Sequence, residues 1–210
     1  MRSNKECLES ARLYLILDTQ VNSYPELLDI LKKSIRGGVD IVQLRDKAGS
    51  AKDILAFSKK AKKIIGNKVP YIINDRVDLA VVADASGVHL GQNDIPFEHA
   101  RRIMGKRAII GISCQNLQHA RKAQREGADY IGFGSVFKTK TKPGRSPMDV
   151  EYLKKVVREI KVPVFAIGGI AQDNIGLLRQ MGVERVAVCR EICLAKDVSR
   201  MTQILKQFCY

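Results

Sequence analysis

Short apolar runs alternate with longer amphipathic segments along most of the chain. Runs such as "LYLIL" at 13–17 and "IVQL" at 41–44 are too continuous for strands that expose one face to solvent. Unbroken apolar runs of this length are typical of parallel strands that are covered on both faces. The pattern predicts strands at 13–17, 41–44, 71–73, 87–90, 108–113, 130–134, 164–168 and 185–189.

Helical periodicity fills the segments between these runs. "YPELLDILKKSIRGG" at 24–38 places Leu27, Leu28, Leu31 and Ile35 on one stripe and stops at glycines. Similar patterns follow most of the other strands, and weaker ones occur around residues 76–83 and 96–103. Strand–helix alternation predicts right-handed crossovers and a parallel sheet.

Roughly eight such units, joined without a linker, predict a (β/α)₈ TIM barrel. We expect a single compact domain over residues 1–210, with 1–12 as a short N-terminal extension or helix. An open doubly wound sheet is the main alternative. The first strand lacks a following G-x-G-x-x-G, which removes the usual argument for a dinucleotide-binding site.

Composition indicates an ordinary globular protein of the reducing cytosol. The apolar runs are too short to span a membrane, and the N-terminus lacks the apolar block of a signal peptide. The five cysteines include no C-x-x-C pair, which argues against a disulfide framework or a structural zinc site. We therefore expect a cytoplasmic protein with no membrane partner.

The charge balance points to an anionic partner. Lys and Arg number 36 against 22 Asp and Glu, a formal net charge of +14. This excess fits a nucleic acid, a small polyanionic substrate or a solvated basic surface. Aromatic residues make up only 6% of the chain and no Trp occurs, so base-stacking platforms are scarce. We expect a small polyanion and no nucleic acid.

Two acidic residues follow neighbouring predicted strands. Asp75 ends "IIND" and Asp94 lies in "GQND". In a barrel the carboxyl ends of the strands carry the chemistry, so these carboxylates can share a site. They would repel each other without a cation, and they suit Mg²⁺ together with phosphate oxygens. The alternative is that Asp75 caps the following helix and Asp94 belongs to a turn.

Basic and polar residues at other strand ends suit phosphate. Arg45 offers a planar fork of N–H donors, and Lys47 and Lys142 each offer a point charge. Asn74 can hydrogen-bond a phosphate oxygen. The alternative is a set of exposed loop charges. The loop "TKTKPG" can close over a ligand, and "IGGI" can bring backbone N–H groups to an anion.

The ordered series "QLRDK", "INDR", "HLGQND", "GIS", "TKTK", "IGGI" and "RVAVC", from residue 14 to about 193, resembles the thiamine phosphate synthase family. The resemblance implies a Mg²⁺-assisted transferase on a (β/α)₈ barrel. Its two small-molecule substrates would be a pyrimidine diphosphate, 4-amino-2-methyl-5-hydroxymethylpyrimidine diphosphate, and a thiazole phosphate. The products would be thiamine monophosphate and pyrophosphate, and a homodimer is left open.

The resemblance also implies residue roles. The pyrimidine diphosphate would be bound by Gln43, Arg45, Lys47, Asn74, Ser113 and Lys142, of which Arg45, Lys47, Ser113 and Lys142 would act in catalysis. Asp75 and Asp94 would bind Mg²⁺. The thiazole phosphate would be bound by Thr139, Thr141, Gly169 and the backbone at Cys189 and Arg190. The implied mechanism is dissociative: pyrophosphate leaves, the aminopyrimidine supports the resulting cation, and the thiazole nitrogen attacks. No protein nucleophile is needed.

Two positions depart from the family pattern. Lys138 stands where proline is frequent, and Arg190 replaces a small residue that is usually serine. The related thiazole tautomerase is one alternative, but it uses a histidine just after the fifth strand, where this chain has Cys114 and Gln115. A basic nucleic-acid-binding module or a non-catalytic ligand-sensing barrel remains open as a different class.

Overall fold

A closed barrel of parallel strands forms the centre of the protein. The computed structural model describes residues 3–138 and 150–209. Each strand pairs in parallel with the next, and the last pairs with the first, which closes the barrel. The strands are β1 (Leu13–Asp18), β2 (Ile41–Arg45), β3 (Tyr71–Asn74), β4 (Gly87–Leu90), β5 (Ile109–Cys114), β6 (Tyr130–Phe133), β7 (Val164–Ile167) and β8 (Val186–Val188). The prediction of a (β/α)₈ barrel is confirmed, and the open doubly wound sheet is wrong.

Helices follow the strands around the outside. They are α1 (Asn4–Ser10), α2 (Tyr24–Gly37), α3 (Ala51–Ile65), α4 (Val77–Val82), α5 (Phe97–Met104), α6 (Leu117–Glu126), α7 (Val150–Glu159), α8 (Ile175–Gln180), α9 (Arg190–Cys193) and α10 (Val198–Phe208). The two weak helical patterns correspond to α4 and α5. The four-residue α9 was not predicted, because one helical turn leaves no periodicity to detect.

The strands are apolar throughout because they bury both faces. Leu13, Leu15 and Leu17 of β1 belong to the shell between barrel and helices, whereas Tyr14 and Ile16 belong to the barrel interior. Alternate residues of a strand point to opposite faces, so a barrel that is covered by helices needs apolar side chains at nearly every position.

The N-terminal helix contributes to the same interior. Leu8 of α1 is 2% exposed and lies in one cluster with the inward-facing side chains of the strands. Among the described helices, none combines the length and the hydropathy that a membrane crossing requires. The remaining polar residues inside the barrel lie towards its carboxyl end, where the site described next begins.

Candidate active site

A cavity of about 290 Å³ opens at the carboxyl ends of the strands. Its lining combines inward residues of the barrel with the loops that follow β6, β7 and β8. The sequence-predicted residues that line it are Gln43, Arg45, Asn74, Ser113, Gly169, Cys189 and Arg190. Strand order therefore brings together residues that are up to 147 positions apart, from 43 to 190.

Other predicted residues lie beside this cavity or outside the described ranges. Lys47, Asp75 and Asp94 form a separate cluster and do not line the cavity itself. Asp75 directly follows Asn74, so the cluster and the cavity are neighbours. Thr139, Thr141 and Lys142 lie outside the described residues.

The two predicted acidic residues are in contact. The Asp75 and Asp94 carboxyl groups form a hydrogen bond with each other, and Lys47 forms an ion pair with Asp75. Asp75 has a φ of 60°, and its N–H donates to the carbonyl oxygen of His89 on the neighbouring strand at 2.8 Å. A left-handed conformation is uncommon for a residue other than glycine and is often found where function fixes the backbone.

The alternative roles of these acids are met only in part. Arg76 is the N-cap of α4, and no side chain caps that helix, so Asp75 is not a capping residue. Asp94 does take part in a turn, since its Oδ2 accepts the Gly91 N–H at 2.6 Å. That turn aims the Asp94 carboxyl group at Asp75.

The pKa values of the two acids shift in opposite directions. Burial raises the pKa of Asp75, and the hydrogen bond with Asp94 raises it further, while Lys47 opposes both. Burial also raises the pKa of Asp94, but the hydrogen bonds from Asp75 and from the Gly91 N–H outweigh it and leave that pKa lowered. Two carboxyl groups this close cannot both ionise easily unless a cation joins them.

The donor set fits Mg²⁺ and does not fit a protein-only metal cage. Within residues 3–138 and 150–209 no group of three or more His, Cys, Asp or Glu side chains is placed to hold a metal ion. Mg²⁺ is commonly held by one or two carboxylates together with substrate phosphates. The Asp75–Asp94 pair matches that requirement.

Asn74 carries a buried donor that lacks a partner. The residue is 7% exposed and lines the cavity, and its Nδ2 has no hydrogen-bond partner among the described residues. Burying an amide N–H without an acceptor costs about 1–3 kcal/mol. An acceptor oxygen on a ligand would remove that cost.

Arg45 is held by an acid that the sequence analysis missed. Arg45 Nη1 donates to Asp18 Oδ2 at 2.7 Å, and the Asp18 side chain is fully buried. Asp18 also accepts the Gln20 N–H at 3.0 Å. Its position directly after the apolar run of β1 was the available signal, because the same signal singled out Asn74.

A continuous chain of hydrogen bonds crosses the barrel interior. Gln43 Nε2 donates to the Tyr14 hydroxyl at 2.7 Å, which lies 2.8 Å from the Tyr130 hydroxyl. The Tyr130 hydroxyl lies 2.9 Å from His89 Nδ1, and His89 Nε2 lies 2.9 Å from Ser113 Oγ. We call these five residues the interior relay. Only its two ends, Gln43 and Ser113, were predicted from the sequence.

Glycines on the opposite wall allow close backbone approach. Gly168 and Gly169 have φ of 108° and 63°. A Cβ atom at Gly168 would lie 2.3 Å from Ser135 Oγ, and one at Gly169 would lie 2.4 Å from the Lys138 carbonyl oxygen. Both positions therefore require glycine. Arg190 borders the same wall.

The cysteines show no sign of a nucleophile. Cys114 is 1% exposed, and burial raises the pKa of its thiol to about 12. Cys193 is 4% exposed and hydrogen-bonded with Cys189, and this bond together with burial raises the pKa of the Cys193 thiol. Thiolates react and thiols do not, so neither buried cysteine is activated.

Comparison with known proteins gives consistent relatives over nearly the whole chain. The family model described as thiamine monophosphate synthase matches residues 13–192. The thiamine-phosphate synthase of Fusobacterium nucleatum is 42% identical over 96% of this chain and 98% of its own length. That of Methanobrevibacter smithii is 40% identical over 93% of this chain and 94% of its own length.

Solved structures agree in fold. Thiamine phosphate pyrophosphorylase from Pyrococcus furiosus is 32% identical, covers 98% of this chain with 96% of its own, and superposes with a TM-score of 0.86. A structure of 3-hexulose-6-phosphate synthase is similar at a TM-score of 0.71 and 17% identity, which supports the barrel fold alone.

Proposed function

Because the chain belongs to the thiamine monophosphate synthase family, we propose that it is the transferase that joins 4-amino-2-methyl-5-hydroxymethylpyrimidine diphosphate to thiazole phosphate. The products are thiamine monophosphate and pyrophosphate. The observation that carries the proposal is the contact between the Asp75–Asp94 pair and a neighbouring group of phosphate-type donors. Those donors are Lys47, which pairs with Asp75, and the unpartnered amide of Asn74.

In this proposal Asp75 and Asp94 hold Mg²⁺ through their carboxylate oxygens. When bound, the ion neutralises the diphosphate and the negative charge that grows as pyrophosphate leaves. The carboxylates would bind the cation in their ionised form. Lys47, which already contacts Asp75, then remains beside the same negative charge.

The other cations and donors orient the diphosphate. Arg45 lines the cavity, and its Nη1 is held by the fully buried Asp18 at 2.7 Å and by Gln20 Oε1 at 3.1 Å, which leaves its other N–H groups for a ligand. Asn74 Nδ2 supplies a donor that no described residue uses. Fixed donors aimed at a leaving group stabilise the transition state without reorganisation. Lys142, from the loop outside the described residues, completes the set on the evidence of the family motif.

The second substrate occupies the wall made by Gly168 and Gly169 and by Cys189 and Arg190. Both glycines line the cavity, where a phosphate can lie against main-chain N–H groups. The family motif assigns Thr139 and Thr141, which lie outside the described residues, to the same phosphate. The thiazole nitrogen would then face the pyrimidine methylene across the cavity, and no protein nucleophile takes part.

A tautomerase role has less support. The resemblance associates that activity with a histidine just after the fifth strand, where this chain has Cys114, the last residue of β5, and Gln115. The Cys114 thiol donates to the Ile112 carbonyl oxygen at 3.8 Å. A buried thiol with a raised pKa is a poor proton-transfer group. A cytoplasmic location belongs to the proposal as the expected place of a biosynthetic enzyme, and the homodimer stays a prediction.

The test is a pyrophosphate-release assay with both purified substrates and Mg²⁺. We expect turnover that requires both substrates and stops reversibly when EDTA removes the metal. Omission of either substrate is the control for simple hydrolysis of the diphosphate. Failure to form thiamine monophosphate with the full mixture would overturn the proposal.

A further inference from the structure

The interior relay links two residues that face the pyrimidine in the proposed function. Gln43 lies at one end on β2 and Ser113 at the other on β5. Tyr14, Tyr130 and His89 connect them from β1, β6 and β4, and all three are at most 8% exposed. Every link is between 2.7 and 2.9 Å, so protons along the relay are ordered rather than shared with solvent.

The direction of each hydrogen bond follows from the first one. The Tyr14 hydroxyl accepts the amide N–H of Gln43, and the only other described partner for its own proton is the Tyr130 hydroxyl. In the arrangement that bonds every proton of the relay, Tyr14 therefore donates to Tyr130. Tyr130 then donates to His89 Nδ1. With Nδ1 as acceptor, His89 carries its proton on Nε2 and donates to Ser113 Oγ. The Ser113 proton is thereby left for the cavity.

The two ends consequently present opposite chemistry to a ligand. Gln43 turns its amide nitrogen to Tyr14, so its carbonyl oxygen is an acceptor that no other described residue uses. Ser113 presents an O–H donor. A ligand that matches both ends carries an N–H donor near Gln43 and an acceptor oxygen near Ser113.

We propose that Tyr14, Tyr130 and His89 are positioning residues that fix this polarity, so that the site selects an aminopyrimidine over an oxopyrimidine. The inference rests on the proposed function and deepens it. The 4-amino group donates to the Gln43 side-chain oxygen. The carbonyl oxygen of an oxopyrimidine has no proton to donate there, so two acceptor oxygens would repel each other. A site built to bond one polar group strongly rejects an analogue that leaves it unpaired.

The polarity also serves the reaction. An acceptor at the amine N–H draws that proton away and leaves more electron density on the nitrogen. This nitrogen supports the cation that remains when pyrophosphate departs, so the hydrogen bond strengthens in the transition state. At the other end, the Ser113 proton points towards the oxygens that gain charge.

The relay resists reversal because its members are coupled. Each tyrosine hydroxyl has one proton, so turning the Gln43 amide over would require both hydroxyls and the His89 tautomer to change together. Burial raises the pKa of Tyr14 and of Tyr130, so both hydroxyls keep their protons. The rings pack edge to face against Phe165, with centroids 5.4 and 5.6 Å away, which holds the hydroxyls in place.

The experiment compares two ligands that differ only at the selected atom. Dissociation constants of 4-amino-2-methyl-5-hydroxymethylpyrimidine diphosphate and its 4-oxo counterpart are measured by calorimetry with Mg²⁺. The diphosphate is common to both, so its contacts cancel in the ratio. Wild type, Tyr14→Phe, Tyr130→Phe and Tyr71→Phe are compared. Tyr71 is the matched control, because its buried hydroxyl bonds Ser58 at 2.9 Å and belongs to no relay.

We expect the preference for the amino compound to fall by ~10-fold or more in Tyr14→Phe and Tyr130→Phe, about one hydrogen bond's worth. Without the Tyr14 or Tyr130 hydroxyl, the Gln43 side-chain amide can rotate by 180° and donate its N–H to the carbonyl oxygen of the oxo compound. Tyr71→Phe should lose stability with its preference intact. Equal changes in all three variants, or no change in any, would overturn the inference.

A second measurement needs no substitution. Ring ¹⁵N shifts of labelled wild-type protein report the tautomer of His89, and the relay requires the Nε2–H form with Nδ1 unprotonated. Observation of the Nδ1–H form would reverse every bond and overturn the inference even if a variant fails to fold. If the protein prefers the amino compound but does not form thiamine monophosphate, only the proposed function is overturned. If it forms the product but binds the amino and oxo compounds equally well, only the role of the relay is overturned.

Discussion

Asp75 and Asp94, which follow neighbouring strands, hold their carboxyl groups in a mutual hydrogen bond beside Lys47. Such a contact between two acids is unfavourable once both ionise. A divalent cation between the two carboxylates would relieve that repulsion.

Asp75→Asn and Asp94→Asn should each lower kcat/KM by ~10²-fold or more, because each removes charge that stabilises the leaving group through Mg²⁺. Steady-state rates over a Mg²⁺ series measure this. Neither variant should unfold more easily in the absence of metal, since the substitution relieves the contact between like charges. Near-wild-type rates at limiting Mg²⁺ in both variants would contradict the metal assignment.

Asp18→Asn should weaken the protein and the site together. Asp18 is fully buried against Arg45, and loss of its charge leaves the guanidinium with only a neutral acceptor. We expect a free energy of unfolding lower by ~1–3 kcal/mol and a reduced kcat/KM for the pyrimidine diphosphate. Urea unfolding and steady-state kinetics give the two values.

The matched control for that change is Asp29→Asn. Asp29 pairs with Lys33 at 2.7 Å on α2, but both side chains are about half exposed at 57% and 46%. An exposed pair of this kind contributes at most ~0.5 kcal/mol. Similar losses in Asp18→Asn and Asp29→Asn would mean that the buried pair has no special role.

Much of this arrangement was predictable, because the apolar runs fix the strands and the strand ends fix the site. The interior relay was not. Tyr14 and Tyr130 lie 116 positions apart within runs that look uniformly apolar, and only closure of the barrel brings their hydroxyls together. His89 was not singled out for the same reason, since its partners Tyr130 and Ser113 lie 41 and 24 positions away. Asp18 was overlooked because the first strand was ended one residue too early.

Lys142→Ala should lower kcat as well as raise the KM for the pyrimidine diphosphate. The residue lies outside the described ranges, and the prediction rests on the family motif, which places it at the departing pyrophosphate. Lys59→Ala is the control, since Lys59 is exposed on α3, away from the strand ends. Equal losses at both positions in steady-state kinetics would show that general basicity, and not a site, explains the charge.

The buried thiols should react slowly with alkylating reagents. They should also make the free energy of unfolding fall at alkaline pH. Burial raises the pKa of Cys114 from 9.0 to about 12 and that of Cys209 from 9.0 to about 11. Below the unfolded value both states keep the proton. At a pH between the thiol pKa of the unfolded chain and that of the folded protein, only the unfolded chain ionises. The free energy of unfolding therefore falls as the pH rises through that window.

Alkylation rates and urea unfolding as a function of pH measure these effects. Folded protein should leave Cys114 and Cys209 unmodified under conditions that modify all five cysteines in denaturant. The free energy of unfolding of Cys114→Ala should fall less than that of wild type between neutral and alkaline pH, because the variant lacks one buried thiol. Tyrosine ionisation is common to both proteins and cancels in the comparison. Rapid labelling of Cys114 in the folded state, or loss of turnover in Cys114→Ala with both substrate affinities intact, would contradict the absence of a thiol nucleophile.

Arg190→Ser should weaken binding of the thiazole phosphate alone. Arg190 is half-buried and lines the cavity beside Cys189 and the glycine wall, where the guanidinium can pair with a phosphate that is held mainly by backbone N–H groups. Loss of that charged hydrogen bond should raise the KM for thiazole phosphate by ~5- to 30-fold, or ~1–2 kcal/mol. The KM for the pyrimidine diphosphate should hardly change, because its proposed contacts lie on the β2–β5 side of the cavity. Kinetics with each substrate varied in turn, and Arg200→Ser on the exposed part of α10 as control, separate the two effects. An unchanged KM for thiazole phosphate would remove Arg190 from the site, and an equal rise for both substrates would contradict the division of the cavity into two substrate pockets.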